Sequence, residues 1–217
     1  MFTVFLDNGH GSNTAGKRSP DGRFREYAYA RKVVAALAPK LKAKGINVVI
    51  VTPEDYDVSL YTRTQRINKE IAKLGAKNCL MISVHNNAAG MGNWMSARGW
   101  SAWTTRGQNN SDVLAECLYD AAEKVFLNNA YIKESFKGEK VYKPILTQMI
   151  DGDRDYESNF AIIKGANCPA VLVENFFQDN KKDLVLLESN EGFNAIVEVL
   201  LKGIISFINL KTHGSIQ

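Results

Sequence analysis

Three short apolar runs in this chain each end on a residue that can bind a metal or move a proton. Phe2–Leu6 leads into Asp7-Asn8-Gly9-His10-Gly11, Cys79–Val84 ends on His85, and Ala170–Val173 ends on Glu174. Their length and their β-branched and aromatic content predict buried strands. In an open α/β sheet, ligands bind beyond the carboxyl ends of the strands. Three such ends carrying chemistry therefore predict one shared site. Gly9 and Gly11 let the backbone turn sharply around His10 and leave room beside the imidazole.

Between these runs the apolar period changes from that of a strand to that of a helix. Tyr27, Ala30, Val33, Val34, Leu37 and Leu41 predict a helix over 25–44, with Gly45 as its C-terminal signal and a kink at Pro39. Ile46–Val51 follows as a strand, then a helix over 61–74. After Cys79–Val84 come a Gly-, Asn- and Met-rich loop over 86–98 and a strand over 99–105. A helix over 112–127 follows, capped by Ser111 or Asn110. The stretch 128–157 is irregular, and a role for it as an autoinhibitory lid is left open. Strands are expected at 159–163 and 170–173, the start of a helix at 182–187, and a terminal helix over 192–210. Strands alternating with helices predict an α/β fold, hydrolase-like: a mostly parallel twisted sheet of about six strands with helices on both faces. We expect a single domain over 1–210 with a frayed tail at 211–217.

With 217 residues and a hydrophobic share of 45%, the chain has ample material for one such core. The net charge of +4 is spread without a basic block, so no nucleic-acid partner is expected. No apolar run is expected to span a membrane. The sequence enters its first strand at once, without the parts of a signal peptide, which leaves the compartment open. Cys79, Cys117 and Cys168 are odd in number and form no CxxC pair, and they are expected as buried free thiols. A monomer is expected.

Only three histidines exist, and His213 falls in the expected tail. His10 and His85 remain, each at a strand end in a polar loop. Glu26, in the first turn of the first helix, suits the helix dipole and also points back towards the His10 loop. Two imidazoles and one carboxylate leave a fourth position open on zinc, as catalytic zinc sites do. Such a site needs a base to take a proton from water, and Glu174 stands at a suitable strand end.

Four motifs in order then carry a resemblance: Asp7-Asn8-Gly9-His10-Gly11, Glu26, Ser83-Val84-His85-Asn86-Asn87 and Pro169-Ala170-Val171-Leu172-Val173-Glu174-Asn175. They resemble the zinc-dependent N-acetylmuramoyl-L-alanine amidases of the AmiC-like kind, amidase family 3. Phe176-Phe177-Gln178-Asp179-Asn180, with Asp183, is similar to that family's closing segment. Asn8 and Asn175 depart from the usual Pro and Gly, at positions that supply no ligand. The resemblance implies His10, Glu26 and His85 as ligands of one zinc per chain and Glu174 as the catalytic carboxylate. It implies peptidoglycan as substrate, cut at the amide between muramic acid and L-alanine. Asn86, Asn87 and Trp94 are candidate substrate contacts. Two other readings stay in view: a catalytically silent domain that binds wall peptides, and a zinc peptidase acting on another amide.

Two rival motifs fail. Gly11–Arg18 approaches a phosphate-binding loop, but Arg18 replaces the required Ser or Thr, and Pro20 and Gly22 oppose a helix there. Asp151, Asp153 and Asp155 alternate like the start of a calcium loop, but the sixth place is Tyr156 and the twelfth Ile162. An acidic, solvated loop is expected there instead.

Overall fold

The computed structural model describes residues 1–139 and 144–214, with His213 as backbone only. Six strands form one sheet: β1 (Thr3–Asn8), β2 (Asn47–Ile50), β3 (Cys79–Asn87), β4 (Ser101–Thr104), β5 (Tyr156–Glu157) and β6 (Ala170–Phe177), in the order β2-β1-β3-β6-β4-β5. β2, β1, β3 and β6 are mutually parallel, β4 runs antiparallel to β6, and β5 pairs parallel with β4. The sheet is thus mostly parallel, as the alternating pattern predicts.

Successive side chains of a strand point to opposite faces, so each face has its own core. Val4 and Leu6 of β1, Leu80 and Ile82 of β3, and Val171 and Val173 of β6 belong to the larger core. Three helices cover it: α1 (Glu26–Lys42), α3 (Asn110–Phe126) and α7 (Asn190–His213). In α1, Ala30, Val33, Val34, Leu37 and Leu41 form the buried stripe. Phe5, Met81 and Leu172 face the other way, against Ile67 and Ile71 of α2 (Leu60–Leu74) and Ile162 and Ile163 of α5 (Ala161–Lys164). Burying each such aliphatic side chain contributes about 1.5–3 kcal/mol. Two short helices, α4 (Ala130–Ser135) and α6 (Lys181–Glu188), complete the layers.

Several expectations are corrected. The segment 159–163 is not a strand: 161–164 form one helical turn, and the short strand lies earlier, at Tyr156–Glu157. A strand would send Ile162 and Ile163 to opposite faces, whereas the turn buries both against the same core. The α3 cap is Asn109, neither Asn110 nor Ser111. Its Oδ1 accepts from Ser111 N (2.8 Å), and the Asp112 carboxylate accepts from Asn109 N. α7 starts at Asn190, capped by Ser189, and runs on to His213, so 211–213 are helical; the expected tail at 215–217 lies outside the described residues. α7 is also long and apolar enough to cross a bilayer, contrary to expectation. Its Ile196, Leu200, Ile204 and Phe207 are instead fully buried in the larger core, which accounts for its composition. All three cysteines are free; Cys79 and Cys117 are buried and Cys168 half-buried.

Candidate metal centre

The parallel register brings the three chemistry-bearing residues to the carboxyl-end side of the sheet. His10 lies just beyond β1, and His85 and Glu174 lie in the C-terminal halves of β3 and β6, which run on to Asn87 and Phe177 rather than ending there. Asn8 pairs with Val84, and His85 stands directly opposite Glu174 on β6, which puts these two side chains on the same face. Gly9 N extends the ladder by donating to Val84 O (3.0 Å). A Cβ on Gly9 would lie 2.6 Å from His85 Nδ1 and 2.7 Å from Val84 O, so only glycine lets the His85 ring lie against this turn. His10 follows with a φ of +60°, a conformation costly for a non-glycine residue. Two guanidinium groups hold it there: Arg31 Nη1 (3.2 Å) and Arg63 Nη2 (3.3 Å) both donate to His10 O.

Glu26, 1% exposed, sits between the two imidazoles. Its Oε1 is 3.3 Å from His10 Nε2 and 3.0 Å from His85 Nδ1. The rings meet edge to face, with centroids 4.9 Å apart. The same oxygen accepts from Asn86 N (3.1 Å), and Glu26 Oε2 accepts from Gln178 Nε2 (2.8 Å). Burial alone would raise the Glu26 carboxyl, but its hydrogen bonds to His10 and His85 hold it well below the usual carboxylate range. Burial opposes a charge on His85, and Glu26 overrides it, raising the imidazole above its ordinary value.

The three ligand atoms lie within 4.8 Å of one another. Their carboxylate–imidazole separations of 3.0 and 3.3 Å are close to the ~3.3 Å between neighbouring ligands of a tetrahedral centre with bonds of ~2.0–2.1 Å. Two imidazole nitrogens and one carboxylate oxygen suit zinc, and three protein ligands leave one position for water or substrate. The donor set and its spacing thus fit a catalytic zinc ion. Glu174 lies beside this group, with Oε2 buried and without a hydrogen-bond partner among the described residues. Burial pushes its carboxyl up to about 8, with the charge of Glu26 adding to the shift and His85 and Lys17 opposing it.

Two supporting residues have roles that the motif reading does not assign. Arg63 is buried, with Nη1 donating to Asp7 Oδ1 (2.9 Å) and Asn8 O (2.5 Å), and Nη2 bonded to Asp57 (2.7 Å). Asp7 also accepts from Ser83 Oγ (2.7 Å). Its sequence signal is position: Arg63 lies four residues before Ile67 on the apolar face of α2. Gln178, in the closing segment, orients Glu26 and also donates to Asn86 O (3.3 Å). Asp57, Val58, Ser59 and Leu60 wall a cavity that opens onto His10 and His85.

The candidate substrate contacts are placed differently. Asn86 is buried and its Nδ2 donates to Asn175 O (2.5 Å), while Asn175 Nδ2 donates to His85 O (3.1 Å). The two amides clasp β3 to β6. Asn87 is partly exposed, and its Oδ1 accepts from Ala88 N. Trp94 is half-buried under Lys181, in a pocket with Arg98, Glu139 and Lys182, apart from the cavity at the histidines. The Gly11–Arg18 stretch forms turns, with no helix start.

A family model described as N-acetylmuramoyl-L-alanine amidase matches residues 4–206. The endolysin of Bacillus phage SPP1 is 28% identical over 211 residues, covering 96% of this chain and 66% of that protein. The N-acetylmuramoyl-L-alanine amidase AmiC of Neisseria meningitidis is 26% identical over 230 residues, covering 95% of this chain and 52% of that protein. The chain therefore spans about half to two thirds of the length of these relatives. In fold it resembles the crystal structure of an N-acetylmuramoyl-L-alanine amidase from Clostridium difficile 630, at a TM-score of 0.73 and 23% identity, covering 96% of this chain and 97% of that one.

Proposed function

This chain belongs to the N-acetylmuramoyl-L-alanine amidase family, and from that premise we propose that it hydrolyses the amide joining N-acetylmuramic acid to L-alanine in peptidoglycan. His10, Glu26 and His85 would hold one zinc ion, and Glu174 would act as general base and then general acid. The observation that carries this reading is the convergence of the two imidazoles on Glu26 Oε1, with Glu174 in register beside His85. When bound, zinc lowers the pKa of water and polarises the scissile carbonyl.

The protein's own groups supply the rest. Glu174 accepts a proton from the attacking water, and the water oxygen bonds to the carbonyl carbon of the lactyl group. As the carbon–nitrogen bond breaks, Glu174 returns the proton to the departing L-alanine nitrogen. A buried carboxyl with an elevated affinity for protons is suited to both transfers. Glu26, fixed by Gln178 and Asn86 N, stays ionised between the imidazoles. Arg31 and Arg63 hold the strained His10 backbone and so keep its ring aimed at the site.

The test pairs metal content with release of new L-alanine amino termini from purified peptidoglycan, for the parent and Glu174→Ala. We expect about one zinc per chain in both and cleavage in the parent alone. An active Glu174→Ala protein would overturn the base assignment. Zinc without cleavage by the parent would favour a silent wall-binding domain or another amide substrate.

A further inference from the structure

The 151–155 loop meets the expectation of a solvated acidic turn at Asp151, which is exposed, and departs from it at Asp155. Asp155 is 1% exposed, and Asp112, at the start of α3, is 4% exposed. Together with Asp153 they present carboxylate oxygens that all lie within 4.8 Å of one another. Asp155 Oδ2 accepts from Thr104 Oγ1 (2.6 Å), and Asp112 Oδ2 accepts from Asn109 N. Among the described residues, Asp155 Oδ1 and Asp153 Oδ1 are buried without any hydrogen-bond partner. Among the described residues no Lys or Arg pairs with any of the three. The nearest guanidinium in sequence, Arg154, is turned onto Glu116, Asp120 and Glu123 of α3.

A buried carboxylate without a counter-charge is costly and calls for a cation or a proton. Three carboxylates, of which two have buried oxygens with no partner among the described residues, make an all-oxygen donor set. We propose that Asp112, Asp153 and Asp155 form a second metal site, one for a hard divalent cation of the calcium class. Zinc is disfavoured here by the absence of nitrogen or sulfur donors. Gln108 lies over the same group, with Nε2 donating to Asp153 Oδ2 (2.9 Å) and Asp151 Oδ2 (3.3 Å). Half a turn of its amide would offer Oε1 to the cation instead.

The site is remote from the zinc ligands. Ser101 of β4 pairs with Glu174, and β4 runs antiparallel to β6, so Thr104 and Asp155 lie towards the opposite edge of the sheet. The cation would tie the 151–155 loop to the start of α3 and to the short β4–β5 pair. A local calcium-loop motif does not describe this group, because Asp112 comes from another element altogether.

Calcium alone is the probe, added to the full chain loaded with zinc. Thermal unfolding should show a saturable rise of roughly 3–6 °C at ten times the dissociation constant. The rise should vanish in Asp155→Asn and weaken in Asp153→Asn, whose partly exposed side chain makes it the safer variant for folding. Terbium should also report directly, sensitised by Trp103 and Tyr156, which adjoin Thr104 and Asp155 in sequence and whose rings lie 4.7 Å apart. No rise and no terbium emission in the parent at up to about 10 mM, tenfold above the weakest class of calcium sites, would overturn the proposal. An equal response in both variants would do the same. The first result would mean that a shared proton neutralises the Asp153–Asp155 pair, and the second that calcium binds elsewhere on the chain.

Discussion

The two edges of the sheet treat buried carboxylates in opposite ways. At the zinc edge every buried acid but Glu174 has a fixed partner. Asp7 has Arg63 and Ser83, and Glu26 has two imidazoles, a backbone amide and Gln178. At the far edge Asp153 and Asp155 have hydroxyl and amide donors only, and each keeps one oxygen bare. Pairing with a guanidinium or imidazoles fixes the geometry of Asp7 and Glu26 before any ligand arrives, as a catalytic site requires. Carboxylates with neutral donors alone keep a preference for positive charge. At the first edge Glu174 Oε2 is bare among the described residues, as are Asn86 Oδ1, Gln178 Oε1 and Asp179 Oδ1, and Glu174 is the group assigned to move protons.

Removing a partner should therefore be damaging at the zinc edge and mild or favourable at the other. The largest effect is expected from Arg63→Met. It strands the buried Asp7 charge and frees the His10 carbonyl, and it should cost about 3–5 kcal/mol in denaturant unfolding. Adding Asp7→Asn removes the stranded charge and should restore most of that loss in a double-mutant cycle. Equal losses in the single and double variants would show that Arg63 acts by packing alone. A smaller effect is expected from Gln178→Leu. Glu26 would lose the hydrogen bond to Oε2, and zinc affinity should fall roughly tenfold to a hundredfold in competition with a chelator. Unfolding of the metal-free protein should change less than in Arg63→Met. An unchanged zinc affinity would show that the imidazoles and Asn86 N suffice to orient Glu26.

How far each edge can be read from sequence follows the same division. The zinc edge is built from ends of neighbouring parallel strands, so a local pattern of apolar run plus polar terminus marks His10, His85 and Glu174. Glu26 is marked by its place in the first turn of α1. Arg63 and Gln178 lack such a pattern, because their roles depend on which backbone and carboxylate they face after folding. At the other edge Asp112 reads as an ordinary N-terminal helix acid, and 151–155 as a surface turn. Their convergence depends on the pairing of β4 with β5 and on the loop that leads into it, and neither has a period. The 159–163 segment misleads for a related reason: a short apolar run is compatible with a strand or a helical turn, and the shape of the core chooses.

The smallest effect, and the sharpest for the comparison, is expected from Asn109→Ala. Asn109 caps α3 through its side chain, and its backbone amide donates to Asp112 in the same box. The substitution keeps the three acids and removes only the side-chain half of the cap, so stability should fall by about 1 kcal/mol. Asp112 would then be held by one fewer constraint at the helix start. If the acidic edge binds a cation with Asp112 as a ligand, calcium should restore much of that loss, because the ion would fix the helix start in place of the cap. If a shared proton neutralises Asp153 and Asp155 instead, the loss should be the same with and without calcium. Zinc content and amide hydrolysis should stay at the parent's values in either case, because α3 supplies no group to the other edge. A matching fall in zinc affinity would show that the two edges are coupled through the sheet, and the contrast between them would have to be redrawn as one network.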